Sequence, residues 1–220
     1  LDGKGQPERE SFYRGSKFRG RLYSLLDAPN ARYVMADATG PFASRYERFL
    51  RHFLWLDNTI ILVDDLMALE AGHFEWLFHG WSAPEFRDGT LTIAGKKAQM
   101  EMNVLFPKEL EAHKREGLAA EDPDTKLDYL TLRQTNAARD TKFLGVIRAG
   151  RQLPELQIEP RAGDHWIGTA LKSPKRTWKL YCNLKADGRS MHDNSNLIMD
   201  HWDTDAVLLA TRIDPGRQAP

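Results

Sequence analysis

Residues 91–106 read LTIAGKKAQMEMNVLF and contain two runs of alternating character around a glycine-containing turn. From Ala98 to Phe106 every second residue is apolar, which is the pattern of a β-strand with one buried face. Leu91–Ile93 precedes this run across Ala94-Gly95-Lys96-Lys97, so the stretch predicts a β-hairpin.

Strand-like segments recur along the rest of the chain. Phe49–Leu56 and Thr59–Val63 flank Asp57-Asn58, a pair that tolerates the left-handed backbone of a tight turn, and they predict a second hairpin. Further predicted strands are Ala31–Ala36, His73–His79, Tyr129–Gln134, Lys142–Arg148, Leu156–Glu159, His165–Leu171, Arg176–Leu184, Asn196–Trp202 and Ala206–Ile213.

Helix signals are scarce. Only Lys108–Glu116 has the composition for a turn or two of helix, and Gly117 follows it at once. About a dozen strands separated by turn signals predict an all-β fold, a large antiparallel β-sandwich of two layers that resembles a supersandwich. We expect one such domain over residues 1–220.

Composition excludes several classes of protein. The 220 residues carry 31 Lys and Arg against 31 Asp and Glu, and 41% are hydrophobic, which is a globular composition and not a disordered one. No apolar run approaches the roughly 20 residues of a membrane-spanning helix. No basic cluster is interleaved with aromatic residues, so nucleic acid is a poor candidate partner.

Three groups of residues resemble metal ligands, but we expect no metal site. Positions 73 and 79 of His73–Glu75–His79 would lie roughly 20 Å apart along a strand, too far to share one zinc ion. His192-Asp193-Asn194 and Asp200-His201-Trp202-Asp203 fit turns, where Asp and Asn bond the backbone. Cys182, the only cysteine, is expected to be an inert core residue.

A series of landmarks in the first 80 residues resembles the heparinase II/III-like polysaccharide lyases. The matching segments are Asp2-Gly3-Lys4-Gly5-Gln6, Val34-Met35-Ala36-Asp37-Ala38-Thr39, Arg51-His52-Phe53-Leu54-Trp55-Leu56, Ile60-Ile61-Leu62-Val63-Asp64-Asp65 and Phe74-Glu75-Trp76-Leu77-Phe78-His79. Beyond Leu91 the resemblance is supported by a similar succession of predicted strands and by the segment Thr204-Asp205-Ala206 before the last strand.

The resemblance implies a multidomain, periplasmic or secreted bacterial enzyme. In this family an N-terminal (α/α) toroid precedes the β-sandwich, and an acidic, uronate-containing polysaccharide such as a glycosaminoglycan or alginate binds between them. The reaction is β-elimination: a base removes the C5 proton of the uronate and the bond to O4 breaks. Such a reaction needs a group that neutralises the uronate carboxylate, a base for the C5 proton and an acid for the leaving oxygen.

The family's catalytic residues lie upstream of the turn at which this chain begins. We therefore expect a segment of a longer protein, with the toroid and the first sandwich strands missing. No catalytic residue and no metal ligand can be carried over, and the structural zinc of some members would use upstream residues. The chain alone is predicted to be inactive and to need no cofactor.

Four residues remain as substrate-binding candidates: Gln6, His79, Trp81 and Trp202. Gln6 follows the turn that would border the cleft, and His79 belongs to a landmark strand. Trp81 and Trp202 are the better candidates for stacking on sugars, whereas Trp55, Trp76 and Trp178 are expected in the core. The alternative function is a non-catalytic carbohydrate-binding or cell-surface β-sandwich module.

Overall fold

The computed structural model describes residues 1–3, 19–80, 82–118, 126–186 and 197–215. These residues form seventeen strands and no helix, so none of them belongs to a helix that could cross a membrane. The strands are β1 Arg21–Ala28, β2 Ala31–Asp37, β3 Tyr46–Leu56, β4 Thr59–Gly72, β5 Glu75–His79, β6 Glu85–Arg87, β7 Thr90–Ala94, β8 Gln99–Phe106, β9 Leu110–Leu118, β10 Lys126–Gln134, β11 Ala138–Gly150, β12 Gln157–Gly163, β13 Trp166–Lys172, β14 Thr177–Asn183, β15 Leu197–Met199, β16 Trp202–Thr204 and β17 Leu208–Ile213.

The chain divides into two compact units, Leu1–Pro154 and Glu155–Pro220. The first unit contains an eight-stranded sheet in the order β1-β2-β3-β4-β11-β8-β7-β6 and a three-stranded sheet in the order β5-β10-β9. All neighbouring strands of the two sheets pair antiparallel. The all-β sandwich expected from the sequence is confirmed, whereas the boundaries of a single domain over residues 1–220 stay a prediction.

The two sheets of the first unit pack face to face. Trp76 on β5 and Leu132 on β10 contribute to one hydrophobic cluster with Leu62, Met102 and Phe143 of the large sheet. The rings of Trp76 and Phe143 stack with centroids 4.8 Å apart. This cluster forms because alternate residues of each strand point into the layer between the sheets.

Both predicted hairpins are present. β3 and β4 pair from Leu56 and Thr59 outward, and Asp57 in the turn has a φ of 52°, the left-handed conformation that the Asp-Asn pair predicted. β7 and β8 form the second hairpin across Gly95.

The second unit is a four-stranded sheet with a small hairpin. Strands follow the order β12-β13-β14-β17, and β15 pairs with β16. Met199 of the hairpin packs against Trp166 and Tyr181 of the sheet. Cys182 on β14 is fully buried, as expected from its place on the apolar face of that strand.

Three sequence predictions are wrong. Lys108–Glu116 contains no helix but most of β9, an edge strand that pairs along its whole length with β10. The predicted strand Asn196–Trp202 is interrupted at Asp200, where the chain turns between β15 and β16. Trp55, expected in the core, is 42% exposed.

Candidate functional site

A cavity of about 270 Å³ lies in the first unit at β5, an edge strand of the three-stranded sheet. Its polar lining consists of Tyr46, Arg51, Asp64 and Glu75, and its aromatic lining consists of Phe42, Phe49 and Trp76. A small number of polar groups set among aromatic rings is the usual lining of a ligand site. We call this space the Arg51 cavity.

Strand pairing places the two central charges of the Arg51 cavity side by side. Arg51 on β3 and Asp64 on β4 are direct cross-strand partners and point into the space between the sheets. The Nε and Nη2 atoms of Arg51 each donate to a different carboxylate oxygen of Asp64, both at 2.7 Å. From the opposite sheet, Trp76 Nε1 also donates to Asp64. One buried carboxylate therefore fixes a guanidinium and an indole ring from two layers.

The electrostatics of the Arg51 cavity favour binding over proton transfer. Burial lowers the pKa of Arg51, but the charge and hydrogen bonds of Asp64 outweigh this effect, so the pKa is raised. Burial, followed by the charge of Asp64, raises the pKa of Tyr46 to about 12. Arg51 therefore stays cationic and Tyr46 keeps its proton at neutral pH, which makes both of them donors rather than bases.

The turn at the beginning of the chain forms one wall of the cavity. Gly3 donates its backbone N–H to Glu75 at 3.1 Å, and Asp2 exchanges two hydrogen bonds of 3.0 Å with the backbone of His73. A Cβ on Gly72 would meet the side chains of Asp2 and Leu1, so the turn packs closely against this glycine. The landmark Asp2-Gly3 thus anchors the start of β5 and the residue His73 before it, through one hydrogen bond between backbones and two between backbone and side chain.

A second charged cluster lies on the opposite face of the large sheet, because Asp65 follows Asp64 on the same strand. Asp65 is 1% exposed and binds Lys142 at 2.6 Å and Arg48 at 2.9 Å. Arg48 also contacts Asp140 at 3.3 Å. These groups satisfy one another's charges, so their arrangement is that of a structural ion-pair network.

The candidate residues from the sequence do not converge on one site. His79 is exposed at the end of β5, stacks on Tyr129 with ring centroids 4.7 Å apart, and does not line the Arg51 cavity. Trp202 belongs to the second unit, is 38% exposed and contacts the ring of His201. Gln6, Trp81 and the cluster His192-Asp193-Asn194 lie outside the described residues.

The remaining metal-like clusters serve other contacts. Asp200 turns the β15–β16 hairpin with a φ of 62° and accepts hydrogen bonds from Tyr181 at 2.9 Å and Arg161 at 3.2 Å. His73 Nδ1 lies 3.0 Å from the carbonyl oxygen of Gln134. Within the described part of the chain, no three His, Cys, Asp or Glu side chains are placed to hold one metal ion.

Sequence reasoning named Arg51 and Asp64 as landmarks but missed their pairing and the contribution of Tyr46 and Phe42. No periodic signal could have found these contacts, because Phe42 lies in a turn and Trp76 joins the cavity from another sheet. The signal in the sequence that could have indicated the cavity is the presence of Arg51 and Asp64, two charged residues, within two otherwise apolar strands.

No protein-family model matches the chain, and no curated protein does. The solved structures it resembles include heparan sulfate lyase HepC from Pedobacter heparinus, with a TM-score of 0.58 and 10% identity over 76% of this chain. A crystal structure of heparinase III gives a TM-score of 0.54 and 13% identity over 75% of this chain. The chain spans 28% of the length of the first protein and 27% of the second. It therefore has the fold found in part of the heparan sulfate lyase and heparinase III structures, as the sequence resemblance implies.

Proposed function

We propose that the chain is the β-sandwich portion of a polysaccharide lyase that cleaves uronate-containing glycans by β-elimination. In this proposal the sandwich forms one wall of the glycan cleft, and an N-terminal (α/α) toroid forms the other. The observation that carries it is the fold shared with the heparan sulfate lyase and heparinase III structures. The whole protein would act in the periplasm or after secretion, where such polymers occur.

The Arg51 cavity supports a binding role for this portion. β-Elimination requires a cation or donor for the uronate carboxylate, a base for the C5 proton and an acid for O4. Arg51 and Tyr46 are donors, whereas Asp64 accepts three N–H groups and Glu75 accepts one. These contacts suit charge neutralisation and positioning, and we propose that the base belongs to the toroid.

The proposal assigns no zinc ligand to this chain. Among the described residues, no three side chains are placed to hold the structural zinc that the resemblance implies for some members of the family. We propose that any such zinc uses residues of the longer protein, and no step of the reaction is derived through it.

Two preparations test the proposed function. The 220 residues alone and the same residues preceded by the upstream part of the gene are each incubated with heparan sulfate and with alginate. Ultraviolet absorbance of the unsaturated uronate reports cleavage. We expect product from the longer protein only.

Cleavage by the 220 residues alone would contradict the assignment of the base to the toroid. A longer protein that binds these glycans without cleaving them would favour a carbohydrate-binding module. A longer protein that neither binds nor cleaves them would contradict both functions.

A further inference from the structure

We propose that the face of β3 that carries Arg51, Phe53 and Trp55 binds the uronate-containing glycan, with Arg51 contacting a carboxylate and Trp55 a sugar ring. This inference rests on the proposed function and identifies the residues of the sandwich that would touch the polymer. We call these three residues the β3 stripe.

The strand itself aligns the β3 stripe. Residues at every second position of a strand share a face, so Arg51, Phe53 and Trp55 point the same way and span about 14 Å along β3. Phe53 is partly buried against the core of the first unit. The side chain of Arg51 is 36% exposed and Trp55 is 42% exposed, so both ends of the stripe reach solvent.

The charge that the stripe presents to solvent is positive. Asp64 is 1% exposed and the side chain of Glu75 is 6% exposed, whereas Arg51 is the accessible member of the charged cavity lining. An exposed cation above buried carboxylates is complementary to an anionic polymer.

Among the described residues, hydrogen bonding occupies one edge of the Arg51 guanidinium and leaves another for a ligand. Its Nε–Nη2 edge is occupied by Asp64. The adjacent Nη1–Nη2 edge, which uses the second hydrogen of Nη2, has the fork geometry that matches a second carboxylate through two parallel hydrogen bonds. Because Asp64 holds the guanidinium in place, binding would cost little side-chain entropy.

The aromatic end of the stripe suits the apolar face of a sugar ring. Phe53 and Trp55 stack with centroids 6.5 Å apart and an angle of 23° between the rings. Exposed indole rings combine a broad apolar face with an N–H donor, which fits a ring that has C–H bonds on its faces and hydroxyls around its rim. Together the two ends select an acidic glycan over a neutral one.

Calorimetric titration of the 220-residue chain tests the proposal with two ligands of equal length. One is a uronate oligosaccharide and the other is the same compound with its carboxylates reduced to alcohols. We expect the acidic form to bind about tenfold tighter, because a charged hydrogen-bonded pair is worth about 1.4 kcal/mol or more. Reducing the ligand tests the Arg51 contact without disturbing Asp64.

Variants then separate the two ends of the stripe. Trp55→Ala should weaken both ligands about tenfold, a change that corresponds to about 1.4 kcal/mol. Arg51→Lys keeps the positive charge but loses the fork, so it should reduce the preference for the acidic form. Tyr23→Ala, which removes an exposed aromatic ring from the opposite face of the same sheet, is the matched control and should bind both ligands as the wild type does.

Equal affinity for the two ligands, or unchanged binding by Trp55→Ala and Arg51→Lys, would overturn the proposal. So would a loss of binding in Tyr23→Ala alone, or no binding by the folded wild-type chain. Circular dichroism of each variant confirms folding first. Cleavage by the longer protein is measured separately, so the binding role of the β3 stripe can be contradicted while the lyase assignment stands.

Discussion

At the scale of single residues, the most unusual environment is that of His52. Its ring is 1% exposed on the face of β3 opposite Arg51, and its Nδ1 atom lies 2.6 Å from the hydroxyl oxygen of Tyr33. Its Nε2 atom is buried without a hydrogen-bond partner in the described residues. Burial lowers the pKa of His52 to about 4, and the charges of Asp65 and Lys142 act in opposite directions on it.

This environment predicts an acid-dependent loss of stability. The folded state holds His52 neutral down to about pH 4, whereas the unfolded chain takes up the proton near pH 6.5. Because the unfolded state binds more protons between these values, the free energy of unfolding falls as the pH drops from 6.5 to 4, by up to about 3 kcal/mol. Urea unfolding of the wild type and of His52→Asn at several pH values measures this effect.

Comparing the wild type with His52→Asn separates the effect of His52 protonation on stability from the effect of carboxylates that titrate in the same pH range. His52→Asn keeps a polar group near Tyr33 but does not titrate, so its stability should depend less steeply on pH. His201→Asn, at an exposed position, is the control and should follow the wild type. Parallel curves for wild type and His52→Asn would contradict the prediction.

Sequence alone located several core residues correctly and misplaced one. Trp76, Trp178 and Cys182 are buried, as their alternation with polar neighbours predicted. Trp55 lies between Leu54 and Leu56, in a strand with apolar residues on both faces, yet it is 42% exposed. An apolar run does not reveal how far the opposing sheet extends over each face of the strand.

At the scale of elements, Asp200 holds the β15–β16 hairpin on the four-stranded sheet of the second unit. It accepts a hydrogen bond from Tyr181 and lies 3.2 Å from Arg161 and 3.8 Å from Lys179. Asp200→Asn tolerates the left-handed backbone but loses the charge. We expect a loss of about 1 kcal/mol in the stability of the second unit, measured by urea unfolding.

Asp203→Asn provides the matched control on the same hairpin. Asp203 lies exposed on β16, so removing its charge should leave stability unchanged within about 0.5 kcal/mol. Equal effects of the two substitutions would show that Asp200 contributes no more than a surface charge.

Elements that end in a turn with characteristic residues were predictable from the sequence. Features that depend on contacts with distant parts of the chain were not. Asp57-Asn58 identified the β3–β4 hairpin because left-handed residues are chemically selected there. The segment that ends at Trp202 was predicted both as a strand and, at Asp200–Asp203, as a turn; the turn lies at Asp200 and His201, and a pair without glycine did not decide between the two predictions. The Arg51 cavity was not predictable either, since its walls come from residues that pairing and layer packing bring together.

At the scale of the whole molecule, the single cysteine reports on the integrity of the second unit. Cys182 is fully buried on β14, so a thiol reagent reaches it only when the surrounding sheet opens. We expect labelling of the native chain to be at least about a hundredfold slower than labelling in urea. Mass spectrometry of timed samples measures both rates, and equal rates would contradict the described burial.

The edge strand β9 has a consequence for the solubility of the chain. Exposed sheet edges present unpaired backbone groups that can join a strand of another molecule and start aggregation. Residues 111–116 of β9 read EAHKRE, and these charges would have to approach like charges or be dehydrated in such a contact. The composition that made this segment look helical therefore protects the edge of the three-stranded sheet from intermolecular pairing.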